Sequence, residues 1–329
     1  SWEPHVVLEL EAFEGHFRGR PYLDKLRFRL LSDELARLNE FEIGNLESVN
    51  EIPDDKYDAI KANPSFPGVI EERPTLSTFY IAFNTTRKPF DNILVRQAFN
   101  YAARPEVMLD VIRHGRGTRA HGVLPPGMPA YDPSLAGYGH DREKALALLK
   151  QAGYGDPKQL GVIEYWYNAT SPTDPNAKLA EVFQQNLQEL GIETKLQSCD
   201  WGTYRNKVDR GELAMFRGSW FADYPDPDNF LYILFHSSMH GQAGNTSFYA
   251  NPKVDELLLQ GRTCPDPARR MTFYRSAEEI VVREAPWVFL YHSRSALLRK
   301  PYVRGLRLNA IGPDATKMRG VWLDERAGQ

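Results

Sequence analysis

Arg217-Gly-Ser-Trp-Phe-Ala-Asp-Tyr-Pro-Asp-Pro-Asp-Asn-Phe230 is the stretch on which the fold turns. It continues an apolar run, Leu213-Ala-Met-Phe216, and breaks at Pro225 and Pro227. Apolar residues running into a proline-broken turn predict a buried strand that delivers its last side chains to a loop. Those side chains are a cation, Arg217, an acid, Asp223, and the rings of Trp220, Phe221 and Tyr224. A cation and an acid so placed suit the two ends of a small zwitterion, with the rings as apolar walls. Asp223 and Asp226 equally suit hydrogen bonds to their own loop backbone, as acids beside prolines often make.

Upstream of this strand the pattern is regular. Gly161 to Tyr167 predicts a strand, and Asp174-Pro175 opens a helix striped by Leu179, Val182, Phe183, Leu187 and Leu190. Gly191 ends that helix, Ile192, Thr194 and Leu196 alternate as a strand, and Trp201-Gly-Thr-Tyr204 leads to a short helix stopped at Gly211. Strand, helix, strand, helix, strand is the order of a two-layer α/β domain. Further back, Thr78 to Phe83 predicts a strand, Val95 to Ala102 and Val107 to Ile112 two helices, and Ala145 to Ala152 another. Residues 114–140, rich in glycine and proline, predict a long irregular loop. Downstream come helices around 254–259 and 268–282 and a strand over Pro286 to Tyr291. The opening segment has strands at 6–13 and 26–30, helices after Asp33 and Asp54, and a brief strand at Val69-Ile70. It matches the tail, 292–329, in character. The middle therefore reads as an insertion, with domains expected at 1–84, 85–285 and 286–329.

Composition narrows the functional classes. The chain has 329 residues, 25% of them charged, and a formal charge of −3. So small a charge implies neither nucleic acid nor an anionic membrane as partner. Its 16 Tyr, 17 Phe and 6 Trp serve core packing or pocket walls. The two cysteines, Cys199 and Cys264, are too few for a disulfide scaffold; they either pair with each other or stand as separate buried thiols, the second being the reading favoured. No phosphate-binding loop, dinucleotide fingerprint or Gly-x-Ser-x-Gly elbow is present. His236 and His240 are four apart, a metal-ligand spacing only if they share a helix, and no third ligand is suggested nearby. A hydrolase or metalloenzyme is thus the disfavoured class, and no cofactor or metal is expected. With Ser1 directly before a strand-like stretch, the natural start is expected upstream.

Several spaced stretches carry a resemblance: Gly19-Arg-Pro-Tyr-Leu-Asp-Lys-Leu-Arg-Phe-Arg29, Tyr80-Ile-Ala-Phe-Asn-Thr85 and Pro89-Phe-Asp-Asn-Ile-Leu-Val-Arg-Gln-Ala-Phe-Asn-Tyr-Ala102. Leu124-Pro-Pro-Gly-Met-Pro129, Tyr131-Asp-Pro133, Trp220-Phe-Ala-Asp-Tyr-Pro-Asp-Pro227, Tyr291-His292 and the Gly305 segment follow in order. In these the chain resembles the C-terminal part of solute-binding components of ABC importers, of the large peptide- and nickel-binding family. The resemblance implies an α/β, periplasmic-binding-protein-like (type II) lobe inserted into a partial second mixed α/β lobe. It also implies capture of short peptides in a cleft between lobes, delivery to ABC permease subunits, and a monomer. The expected location is the periplasm or the cell exterior, with lipid attachment through a missing N-terminus. In the family's peptide binders the acid of Trp-x-x-Asp receives the ligand α-ammonium, which makes Asp223 the match. Arg217 would support the carboxylate side and Trp220 line a pocket, with Phe221, Tyr224 and Asn84 counted among the ligand-binding residues. Nickel chelates, haem, glutathione, oligosaccharides and opine-like compounds are the alternative solutes. Phe41-Glu-Ile-Gly-Asn-Leu-Glu-Ser48 departs from the family's Gly-Glu/Asp-Ile-Asp pattern.

Overall fold

The period-two and helical stretches become elements in a computed structural model, which describes residues 1–169, 174–312 and 317–324. The first unit, Ser1–Thr75 with Arg294–Gln329, starts with β1 (Trp2–Glu3), β2 (Val7–Glu11) and β3 (Lys25–Arg29), an antiparallel sheet. Asp33 then caps α1 (Glu34–Glu42), its carboxylate accepting the Ala36 N–H at 2.6 Å. β4 (Ser48–Asn50), α2 (Asp54–Ala62) and β5 (Val69–Pro74) follow. Leu38, Phe41, Val49, Ile52, Tyr57 and Ile60 pack with Ala296 and Leu298 as this unit's main core.

The second unit, Leu76–Ser293, is inserted between those two segments. It runs β6 (Ser77–Phe83), α3 (Ile93–Ala102), α4 (Pro105–Arg113), β7 (Gly117–Arg119), α5 (Arg142–Gln151) and β8 (Ile163–Asn168). Then come α6 (Pro175–Gln188), β9 (Thr194–Cys199), α7 (Trp201–Asp209), β10 (Met215–Phe221) and α8 (Asp228–Phe235). α9 (Pro252–Thr263), α10 (Pro267–Glu284) and β11 (Trp287–Arg299) complete it, and β12 (Val303–Arg304) with β13 (Trp322–Leu323) closes the first unit. Its sheet has the order β11-β6-β10-β8-β9. β8 is parallel to both β9 and β10, so the chain must cross over between them, and α6 and α7 are those crossovers. β6 runs antiparallel to β10 and β11. The unit therefore includes β6 and Trp287–Ser293, because both pair into its sheet.

The residue types explain the elements. Asp174 and Asp266 each accept an N–H at the start of α6 and α10, and Pro175 and Pro267 occupy a first-turn position where no donor is needed. The apolar stripe of α6 meets the sheet through Phe183, which packs edge-on against Phe99 and Tyr165. Phe83, Phe90 and Phe99 continue the cluster, with Phe83 and Phe90 stacked at 4.5 Å. α3, α4, α5 and α6 bury their inner faces here, and Val95, Met108, Leu149 and Leu187 all join one core.

Three segments differ from the expectations. Within 114–140, Gly117–Arg119 forms β7 on β11. β11 extends to Arg299, its last six residues pairing with β5 and β4 in the first unit. The third difference is α8, which begins immediately after Pro227, where a loop was expected to continue. Asp-Asn-Phe-Leu-Tyr-Ile-Leu-Phe has almost no polar face. A helix apolar on most sides lacks the periodic contrast that marks an amphipathic one.

Candidate functional site

β10 pairs with β6 from Met215↔Phe83 to Phe221↔Ser77. This register sets the two ends of the strand apart. Asn84 follows Phe83 and donates its backbone N–H to the Ala214 carbonyl, at the start of β10. Asp223 lies beyond the other end. Six steps of strand separate Met215 from Phe221, roughly 20 Å at ~3.3 Å per residue. Asn84 is only 1% exposed, and its side chain is spent locally, donating to the Gly211 carbonyl and accepting from Thr86. The structure does not bring it together with Asp223.

Trp220, Phe221, Asp223 and Tyr224 lie at the C-terminal end of β10, whereas Arg217 is its third residue, four steps before Phe221 and on the face opposite Trp220. Phe221 and Tyr224 stay 49% and 41% exposed, and Phe221 meets Phe79 edge-on. Arg217 is half-buried, with its guanidinium 5.2 Å from the Phe79 ring centre and Nη1 3.3 Å from Ser219 Oγ. Its Nε is buried without a hydrogen-bond partner, and no acid pairs with it among the described residues. Gly218 is required by the opposite face of the strand. A Cβ there would lie 2.2 Å from the Tyr80 ring, which stacks on Trp287 at 3.4 Å.

Beyond β10 the chain turns around Asn229, which is fully buried. Its Oδ1 accepts the Trp220 indole Nε1–H at 3.0 Å and the Asp223 backbone N–H at 3.1 Å. Its Nδ2 donates to Asp223 Oδ2 at 3.0 Å. The neighbouring acids are neutralised from other helices. Asp226 takes a two-pronged contact from Arg270 of α10, both arms at 2.7 Å. Burial pushes the Asp226 carboxyl up, but Arg270 and the Asp228 N–H outweigh it and leave it below its ordinary value. Asp228 accepts from Tyr224 at 3.1 Å and pairs with Arg262 of α9 at 3.1 Å. Asp223 is thus the exposed member of the three and has no cation partner among the described residues.

Asn229, Arg262 and Arg270 were not singled out by sequence. Asn229 stood inside the quoted stretch, and the apolar run after it was the available signal for a helix that would fix it. Arg270 is 44 residues from Asp226, and nothing local links them.

The remaining candidates are dispersed or occupied. His236 ends α8, and His240 follows a turn, so they share no helix face; His240 Nε2 meets the Tyr249 carbonyl at 2.9 Å. Both cysteines are free and partly exposed. Among the described residues no group of three or more His, Cys, Asp or Glu could hold a metal ion. No described helix is long and apolar enough to cross a membrane. A hollow of about 590 Å³ lies in the first unit, walled by β3, β4, Leu306 and Val321. Its Arg29 and Arg37 already pair with Glu40 and Glu34, and it contains none of the residues of the β10 turn.

Two buried titratable groups sit elsewhere in the second unit. Glu278 of α10 accepts the Val123 and Leu124 N–H groups at 2.7 and 2.8 Å. Burial pushes its carboxyl up to about 7, against those two bonds. His292 of β11 meets Thr78 Oγ1 and the Ser77 carbonyl, each at 3.1 Å, and burial holds its imidazole down at about 4. Thr78 in turn donates to the Val123 carbonyl at 2.7 Å.

The model of bacterial extracellular solute-binding proteins, family 5 (middle), matches residues 1–242. The chain belongs to this family. It is 31% identical over 317 residues to heme-binding protein A of Haemophilus influenzae, covering 96% of this chain and 57% of that protein. Against the dipeptide-binding protein of Escherichia coli it is 27% identical over 306 residues, covering 93% and 56%. The chain therefore spans less than two thirds of the length of these relatives. Among solved structures, the periplasmic binding protein DppA of Helicobacter pylori in complex with peptide STSA superposes with a TM-score of 0.86. That match has 27% identity and covers 99% of this chain and 62% of the other. The family's periplasmic-binding-protein-like α/β fold, with one unit inserted into another, is the fold of this chain.

Proposed function

We propose that the chain is the ligand-binding part of a solute-binding component of an ABC importer, located in the periplasm or outside the cell. It captures short peptides and presents them to the permease subunits. One observation carries this reading: of three clustered acids, Asp226 and Asp228 have arginine partners and Asp223 has none. An acid kept free of cations while its neighbours are neutralised is suited to a ligand cation. In this reading Asp223 receives the peptide α-ammonium, Arg217 supports the carboxylate side, and Trp220, Phe221 and Tyr224 form apolar walls. Asn84 contributes by holding the Gly211 turn. Relatives described as dipeptide-binding and as holding a peptide support the substrate class. The relative described as heme-binding keeps a non-peptide solute as the second reading.

Calorimetry on the full-length protein separates them, using a dipeptide and its N-acetylated form. Wild type should prefer the free amine, and D223N should lose that preference, weakening free-dipeptide binding by ~2–3 kcal/mol. Equal affinity for the two forms in wild type would sink the ammonium reading and favour the non-peptide solute.

A further inference from the structure

We propose that Asn229 is the positioning residue of this site, holding the Asp223 carboxylate and the Trp220 indole in the arrangement a ligand meets. The inference rests on the peptide reading above. Asn229 never reaches solvent, so it acts through the two residues it holds.

The chemistry singles out a primary amide. One side of the Asn229 side chain faces two donors, Trp220 Nε1–H and Asp223 N–H, and needs an acceptor with two lone pairs. The other side faces Asp223 Oδ2 and needs a donor. A carboxylate at 229 would supply the acceptor but set two anions together. An aliphatic side chain would strand two N–H groups in a buried place. Glutamine adds a methylene where Asn229 has no free surface. Partners on both sides also fix which end of the amide is oxygen.

The support is rigid. Asn229 lies in the first turn of α8, between Asp228 and Phe230, and Phe230 is fully buried. Asp226 Oδ1 accepts the Asp228 N–H at 2.9 Å, and Arg270 holds Asp226 in turn. Asn229 therefore engages one oxygen of Asp223 and leaves Oδ1 without a partner among the described residues. One rotamer, one free oxygen and an adjacent indole are set before a ligand arrives, which lowers the ordering cost of binding.

The test uses full-length protein with alanyl-phenylalanine and its N-acetyl form, in wild type, N229A, D223N and the double variant. N229A is expected to weaken the free dipeptide about tenfold, the scale of one side chain ordered before binding. The acetylated form, which keeps only the Trp220 contact, should lose clearly less than the free dipeptide, and adding D223N to N229A should cost little more than D223N alone, since the two residues act as a unit. The emission of Trp220, isolated by difference from W220F, should shift in N229A as its indole loses its acceptor. Thermal melts report folding; if N229A melts below the binding temperature, N229S, which retains a small polar group, is read in the same way. Equal losses for both ligands in N229A, or losses that multiply with D223N, overturn the positioning role while the peptide reading stands. An unchanged free-amine preference in D223N overturns the peptide reading and this inference with it.

Discussion

Asp226 and Arg270 form the contact that secures the turn after β10, and its geometry makes a specific demand. Both Arg270 Nη atoms reach Asp226 at 2.7 Å, while Arg270 Nε holds the Gly261 carbonyl at 2.9 Å and Nη2 also the Tyr274 hydroxyl. A planar fork makes these contacts at once, and an ammonium does not. R270K should therefore behave more like R270M than like wild type, each losing ~1–3 kcal/mol in urea unfolding, because a half-buried carboxylate is left under-satisfied. A lysine variant as stable as wild type would show that charge alone matters here. The acids of this turn were visible in the sequence as a group. Their division into two structural acids and one unpaired acid was not, because the deciding arginines arrive from α9 and α10.

Strand β10 was legible from its apolar lead-in and proline stop, and so were the α6 and α10 starts from their Asp-Pro pairs. These signals are local. Pairing partners are not, and β10 shows the consequence. Gly218 reads in sequence as a flexible residue inside a strand, whereas in the sheet it is the gap into which the Tyr80 ring fits. G218A places a methyl 2.2–2.8 Å from that ring and must push Tyr80 off Trp287. The expected loss is ~1–3 kcal/mol of stability, the usual scale for overpacking. Pairing G218A with Y80A should recover part of the overpacking strain, while Y80A alone loses stability through its cavity. A G218A protein that melts with wild type would mean that the ring moves freely. The α8 helix escaped the sequence reading because its residues are apolar on nearly every side, and the distance between Asn84 and Asp223 was not legible because strand direction is invisible locally. A family-like motif on β6 points toward the far end of an antiparallel partner.

At the scale of the molecule, the insertion itself is testable. We propose that the region expected as 85–285, within the compact unit Leu76–Ser293, folds by its own core. Brief trypsin digestion should leave a fragment spanning that unit, and early cuts between 161 and 219 would contradict it. The same unit holds two groups whose proton linkages oppose each other. Glu278, raised from 4.5 to about 7, binds a proton more readily when folded. Its contribution to stability is complete below 4.5 and lost as pH climbs to about 7. His292, lowered from 6.5 to about 4, binds a proton less readily when folded. Its contribution is complete above 6.5 and lost as pH falls to about 4. Between 4.5 and 6.5 the two slopes have opposite sign and similar size, so together they leave stability nearly flat. Removing one exposes the other. E278Q keeps an acceptor for Val123 and Leu124, and its stability should rise with pH by ~1.4 kcal/mol per unit between pH 5 and 6. H292N should show the reverse slope over the same interval. Urea unfolding at pH 5, 5.5 and 6 reads both. A profile for E278Q as flat as that of wild type would mean that Glu278 and His292 do not titrate against each other in the folded chain.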